Sequence, residues 1–224
     1  MRMRFLLVGT FGFALFGSSL IVLALAQQGV ASGLVADGPG NTPVVAAALT
    51  MTPYLYNCPP EQLDQCYTSG FPQAAIAFWQ RTCPGCRAWQ NGDLQCVMLV
   101  TAAYGLAGQQ LPAVGNAIDF WSLYHNRPGW TEIPSGSGAP LPGDMMVLSS
   151  PYFGGVGHIV IVVAVRLPTN GQVGSITIAQ ANGPGAINTF PLPPDLVVHT
   201  WTNFTVLGFI RHTAVLQQGT PAGG

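Results

Sequence analysis

The stretch "GHIVIVVAVRLPTNGQVGSITIAQAN" spans Gly157–Asn182 and decides what kind of domain this chain forms. Two β-branched apolar runs, "GHIVIVVAV" and "GSITIAQAN", flank a Pro/Asn/Gly turn, which is the pattern of neighbouring strands. "GDMMVLSS" ahead of them reads the same way, and "TVLGFIRH" (Thr205–His212) reads as a closing strand. Before Pro128 the pattern is helical. "CPPEQLDQCYTSG" (Cys58–Gly70) suggests a short helix, and "FPQAAIAFWQRT" (Phe71–Thr82) a second with Pro72 at its first position. "NGDLQCVMLVTAAYGLAG" (Asn91–Gly108) gives a third, and "GNAIDFWSLYHN" (Gly115–Asn126) a fourth with Asn116 as cap and Asp119 three residues on. Helices first and an antiparallel sheet second imply an α+β layer fold.

The chain has 224 residues, of which 7% are charged and 49% hydrophobic. A typical soluble domain is about 25% charged. There is no lysine, and two of the seven arginines, Arg2 and Arg4, precede an uncharged run from Phe5 to Ala26. No basic patch can form, so a nucleic-acid partner is excluded. The N-terminal pattern is that of an export signal, and its length also suits a membrane-spanning helix. Residues 1–27 are therefore expected to be a signal peptide or transmembrane anchor, which puts the remainder outside the membrane. Residues 28–55, rich in Gly and Ala with Asp37 as their one charge, read as a flexible linker. A helical, cysteine-bearing part follows over 56–90, the main domain over 91–213, and a frayed tail over 214–224.

Five cysteines cannot all pair. Cys58, Cys66, Cys83 and Cys86 cluster ahead of the third helix, and in an exported protein they read as two disulfides rather than a metal site. Three connectivities are open. The Pro-Gly turn brings Cys83 within reach of Cys86. Cys58 and Cys66 would stand about 12 Å apart on a continuous helix, so they can pair only if the Cys58–Pro59 end is not helical. We favour 58–66 and 83–86. No metal or cofactor is expected.

Cys96 is left over. With Asp93 as N-cap, it falls near the third residue of a helix that is apolar on both faces, where the helix dipole would lower the thiol pKa. A base is available in His158, which opens the strand "HIVIVVAV" and shares a face with Val160, Val162 and Ala164. That face is expected to meet the helix. On the next strand Gln180 and Asn182 project together, and either could accept the imidazole N–H. Asp144, in "PGD", reads as a turn cap.

These residues, in this order, resemble the CHAP family of cysteine- and histidine-dependent amidohydrolases and peptidases, within the papain-like NlpC-type superfamily. The resemblance rests on "LQCV" at Gln95–Cys96, "GNAIDFW", "PLPGDMMVL" (Pro140–Leu148), "VGHIVIV" and "ITIAQAN", and covers roughly Gly92 to Arg211. It implies a papain-like fold and peptidoglycan as the substrate, cleaved at an amide bond outside the membrane. It also implies Cys96 as nucleophile, His158 as general base and Asn182 as the family's asparagine. The backbone N–H of Cys96 would hold the oxyanion, with Gln95 as a second donor. The departure is Gln180, where the family often has glutamate. An alternative is a CHAP-like domain of little or no activity that binds wall or a partner in an envelope complex.

Overall fold

The computed structural model describes residues 40–54, 73–82, 95–112, 115–152 and 154–213. All of these fall within the second of the chain's two units, Leu34–Gly224. The leader, the four clustered cysteines and the tail lie outside the described residues. Among those described, no helix is long and apolar enough to cross a membrane.

Six strands form one antiparallel sheet: β1 (Trp130–Pro134), β2 (Met145–Ser149), β3 (His158–Arg166), β4 (Gly174–Ala179), β5 (Ile187–Leu192) and β6 (Thr205–His212). Their order across the sheet is β1-β6-β2-β3-β4-β5. From β2 to β5 the chain runs as a meander, each strand pairing with the next. The last strand instead slots between β1 and β2. The helices are α1 (Thr42–Met51), α2 (Gln73–Thr82), α3 (Cys96–Leu106) and the short α4 (Asp119–Tyr124). The architecture is the α+β arrangement that the strand and helix patterns imply.

β3 is buried along its whole length except at Arg166, because both faces of the sheet are covered. Ile159, Ile161 and Val163 join Met145, Val147, Ala179 and Ile210 in the core that includes α1, α3 and α4. Val160, Val162 and Val165 join Leu148, Ile176, Ile178 and Phe209 in a second core, closed by Val198, Leu196, Trp201 and Phe204. A register shift between Val162 and Ala164 carries the alternation over by one residue, so Val165 rather than Ala164 continues that second face.

Three expectations are corrected here. Residues 42–51, assigned to the flexible linker 28–55, form a helix with Val44, Ala48 and Met51 fully buried. Pro43 opens it, and its Ala/Val side chains fill the core beside α3 and β3. α3 begins at Cys96 with Gln95 as the preceding extended residue, so Asp93 is not the cap and Cys96 is the first helical residue, not the third. α4 begins at Asp119. Ile118, not Asn116, is the residue ahead of it and no side chain caps the helix; of the bonds expected between Asn116 and Asp119, the one from the Asn116 backbone N–H to the Asp119 carboxylate is present at 3.2 Å.

Candidate active site

The site lies where the start of α3 meets the start of β3 and the end of β4. Every residue of α3 from Cys96 to Tyr104 is buried, as befits a helix apolar all round. The Cys96 residue is 8% exposed. Its thiol is close to three backbone N–H groups, those of Ile159, Val97 and Cys96 itself. Ile159 directly follows His158, so the thiol lies beside the strand residue next to the imidazole. The N–H groups of Cys96 and Val97, at the helix start, have no acceptor within the helix.

Burial pushes the Cys96 thiol above its ordinary pKa, and the three N–H groups only partly oppose it. This corrects the expectation of a lowered pKa. The helix start is there, but the surrounding core withholds the solvation that a thiolate needs.

His158 is held in place by its neighbours on both sides in the chain and across the sheet. Gly157 ahead of it has φ +68°, and a Cβ there would meet the Leu148 carbonyl oxygen at 2.6 Å. Only glycine fits that turn. The imidazole faces the second core, where it meets the rings of Phe204 and Trp201 with centroids 5.7 and 6.0 Å away. The face that His158 shares with Val160 and Val162 is thus not the one against the helices, contrary to expectation. Alternation gave the grouping of residues but not which group meets α3.

Of the two candidate amides, Gln180 meets the imidazole. His158 Nε2 and Gln180 Oε1 are 2.7 Å apart. The Gln180 Nε2 donates to the carbonyl of Gly185 at 3.0 Å and to Asn188 Oδ1 at 2.6 Å. Both –NH₂ hydrogens are therefore committed, and Oε1 is left as the acceptor for His158 Nε2–H. That fixes the tautomer, with the lone pair on Nδ1. Burial holds the His158 pKa below its ordinary value, opposed by the bond from Gln180, so the ring is neutral at pH 7.

Asn182 has a different partner. It sits at φ +58°, and its Nδ2 donates to Gln95 Oε1 at 3.0 Å. The bond ties Gln95, one residue ahead of Cys96, to the end of β4. The sequence had not paired these two, nor had it singled out Asn188, Trp201 or Phe204. The aromatic run "HTWTNF" was the available signal for the last two.

Asp144 is a structural residue. Its carboxylate accepts from Leu141 N at 2.8 Å and takes a two-pronged pair from Arg211, Nε at 3.0 Å and Nη2 at 2.7 Å. The remaining histidines lie in other settings. His125 pairs with Glu132, and His212 contacts Gln109. Among the described residues no group of three or more His, Cys, Asp or Glu could hold a metal ion.

No curated protein matches the chain. One family model does, that of the CHAP domain, over residues 87–182, a span that takes in α3 with Cys96, the β2–β4 meander with His158, and the Gln180 and Asn182 amides. On that match the stretch from 87 to 182 is assigned to the CHAP domain family, and with it to amidase or hydrolase chemistry of the kind directed at peptidoglycan.

Proposed function

We propose that this protein is a peptidoglycan hydrolase that cleaves an amide bond by cysteine catalysis, outside the membrane. Cys96 is the nucleophile, His158 the general base, and Gln180 the group that orients the imidazole. The observation that carries this reading is the Gln180 amide. With both its N–H bonds spent on Gly185 and Asn188, it leaves His158 with a proton-accepting Nδ1. The apolar leader behind two arginines supports the extracytoplasmic location.

The reaction starts from a neutral thiol and a neutral imidazole. The imidazole rests against Trp201 and Phe204 with no hydrogen bond to Cys96, so the reaction requires Nδ1 to reach the thiol around the start of β3, where it takes the proton as sulfur attacks the amide carbonyl carbon. The resulting oxyanion is held by the N–H groups at the start of α3, with the Gln95 amide as a further donor. The C–N bond breaks as His158 returns the proton to the leaving nitrogen. Water, activated by the same nitrogen, then hydrolyses the thioester and frees the thiol. Gln180 adds no negative charge to steady the imidazolium, so orientation is its contribution.

The test is incubation of the full chain with purified peptidoglycan. Release of soluble fragments carrying new amino groups supports the hydrolase. Retention on the wall without release would replace it with a binding module, a reading favoured by the burial of Cys96.

A pH dependence follows from the two shifts. His158, whose pKa is lowered on folding, contributes stability that is complete above its unfolded value of about 6.5 and lost as pH falls through the folded value. Activity should follow, with kcat/KM declining only on the acid side of about pH 6.5. Cys96, whose pKa is raised, stays protonated at pH 7. Iodoacetamide should label it no faster than a free thiol there, and the rate should climb only above about pH 8.5. Fast labelling at pH 6 would contradict a neutral resting pair.

A further inference from the structure

The Gln180 side chain is completely buried, and each of its three hydrogen bonds has a direction that can be traced to a fixed origin. The origin is a pair of backbone carbonyls, which can only accept. Gly185 O accepts directly from Gln180 Nε2. Pro184 O accepts from Asn188 Nδ2 at 2.8 Å, which turns the Asn188 oxygen towards Gln180. Both groups presented to the Gln180 nitrogen are therefore acceptors. Rotating the amide by half a turn would set its oxygen against two other oxygens and its –NH₂ against the imidazole N–H.

A glutamate here would meet the same surroundings. One carboxylate oxygen would face Gly185 O with no hydrogen between them. Asn188 could turn to donate to the other, but its own oxygen would then oppose Pro184 O. The pocket offers no space for escape. A Cβ on Gly183 would come within 2.3 Å of Gln180 Oε1, which shows how closely the loop wraps the amide. One glutamate oxygen would still accept from His158 Nε2–H, but the other would be buried against a carbonyl oxygen, so such a side chain would be retained only protonated or displaced.

We propose that Asn188 is a positioning residue for His158, acting through Gln180, and that the 183–188 loop forms a socket that accepts glutamine at position 180 and rejects glutamate. The inference rests on His158 being the base, and deepens that reading. Glutamine is then the residue the socket is built for, and the neutral imidazole partner is a property of this site.

The experiment combines nitrogen NMR with kinetics on the full chain. In histidine-labelled protein, the His158 signals are assigned by their loss in His158→Gln, and their shifts report which ring nitrogen carries the proton. Wild type should show the Nε2–H form alone. Asn188→Ala should give a mixture of tautomers and a fall in kcat of about tenfold on soluble peptidoglycan fragments, with KM little changed. Asn188→Asp keeps an acceptor for Gln180 but sets its other oxygen against Pro184 O, so it should retain the Nε2–H form with a lowered Tm. Gln180→Glu should lower both Tm and kcat. The proposal is overturned if Asn188→Ala keeps the wild-type tautomer, or if Gln180→Glu matches wild type in kcat and Tm. Should the chain release nothing from peptidoglycan, the nitrogen signals and Tm values still decide the inference, and only the hydrolase reading falls.

Discussion

Cys96→Ala is expected to cut the release of soluble fragments from peptidoglycan by about 1,000-fold or more while leaving the fold intact. No other described residue is a thiol, so none of these can take over the attack. Removal of a nucleophile typically costs several orders of magnitude, because the covalent route is lost outright. The structural cost is small. Trading a buried thiol for a methyl group removes one heavy atom from the core, worth about 1 kcal/mol. Activity should collapse with Tm shifted by only about 2–4 °C, and binding to the wall should persist. A variant that still releases fragments at a tenth of the wild-type rate would remove Cys96 from the mechanism.

Arg211→Ala should have the largest effect on stability. Asp144 is a carboxylate with a side chain only 3% exposed, tied to the guanidinium by two short bonds. A third Arg211 bond reaches the Ala139 carbonyl at 2.8 Å. Burial pushes the Asp144 pKa up, and Arg211 is the main force opposing it. Removing the cation strands the anion, which costs about 3–5 kcal/mol for a buried pair. In a domain of this size that is a fall in Tm of roughly 6–20 °C. The sign with pH is definite. The stranded carboxyl has its folded pKa raised above the unfolded value of about 3.9, so the loss appears as pH rises past that value and shrinks in acid. Unfolding midpoints in urea at pH 7 and pH 4 would check both points. Removing Asp144 as well should recover part of the loss, since no lone charge then remains.

How far the sequence could be read depended on what each pattern encodes. Strand alternation and the Gly/Pro/Asn turns made β2, β3, β4 and β6 legible, and the cluster of helices ahead of them made the layering legible; the edge strands β1 and β5, which carry Pro134 and Pro191, were missed. The helix Thr42–Met51 was not. "TPVVAAALTM" has no polar face to reveal a period, and in a Gly/Ala-rich setting it reads as a spacer until a core is seen around it. β3 posed the opposite difficulty. Its face grouping was readable, but with both faces apolar nothing distinguished the side that meets α3, and the register shift after Val162 is invisible in composition. At the site, Cys96, His158, Gln180 and Asn182 all stood out by residue type and order. The partnerships did not, because Gln180 and Asn182 are equivalent on an alternating strand, and only the turn after Ala181, with Asn182 at positive φ, sends one to His158 and the other to Gln95. The thiol's raised pKa was hidden for a similar reason. A helix start is a local feature, whereas the desolvation that outweighs it comes from segments far apart in the chain.

The place of β6 bears on when the domain can form at all. Last in order among the described strands, it occupies a slot with β1 on one side and β2 on the other, and it brings Arg211 to Asp144. A nascent chain that has reached only Leu192 holds a gap where two strand edges wait unpaired, the kind of edge that invites pairing with another chain. Closing the gap joins residues from 56 (Ser149 with Thr205) to 82 (Trp130 with His212) positions apart, and pairing over such separations is slow. The span that carries the family likeness, 87–182, ends before β5 and β6 and leaves out α1. The stretch that carries the family likeness is therefore shorter than the stretch needed to complete the sheet.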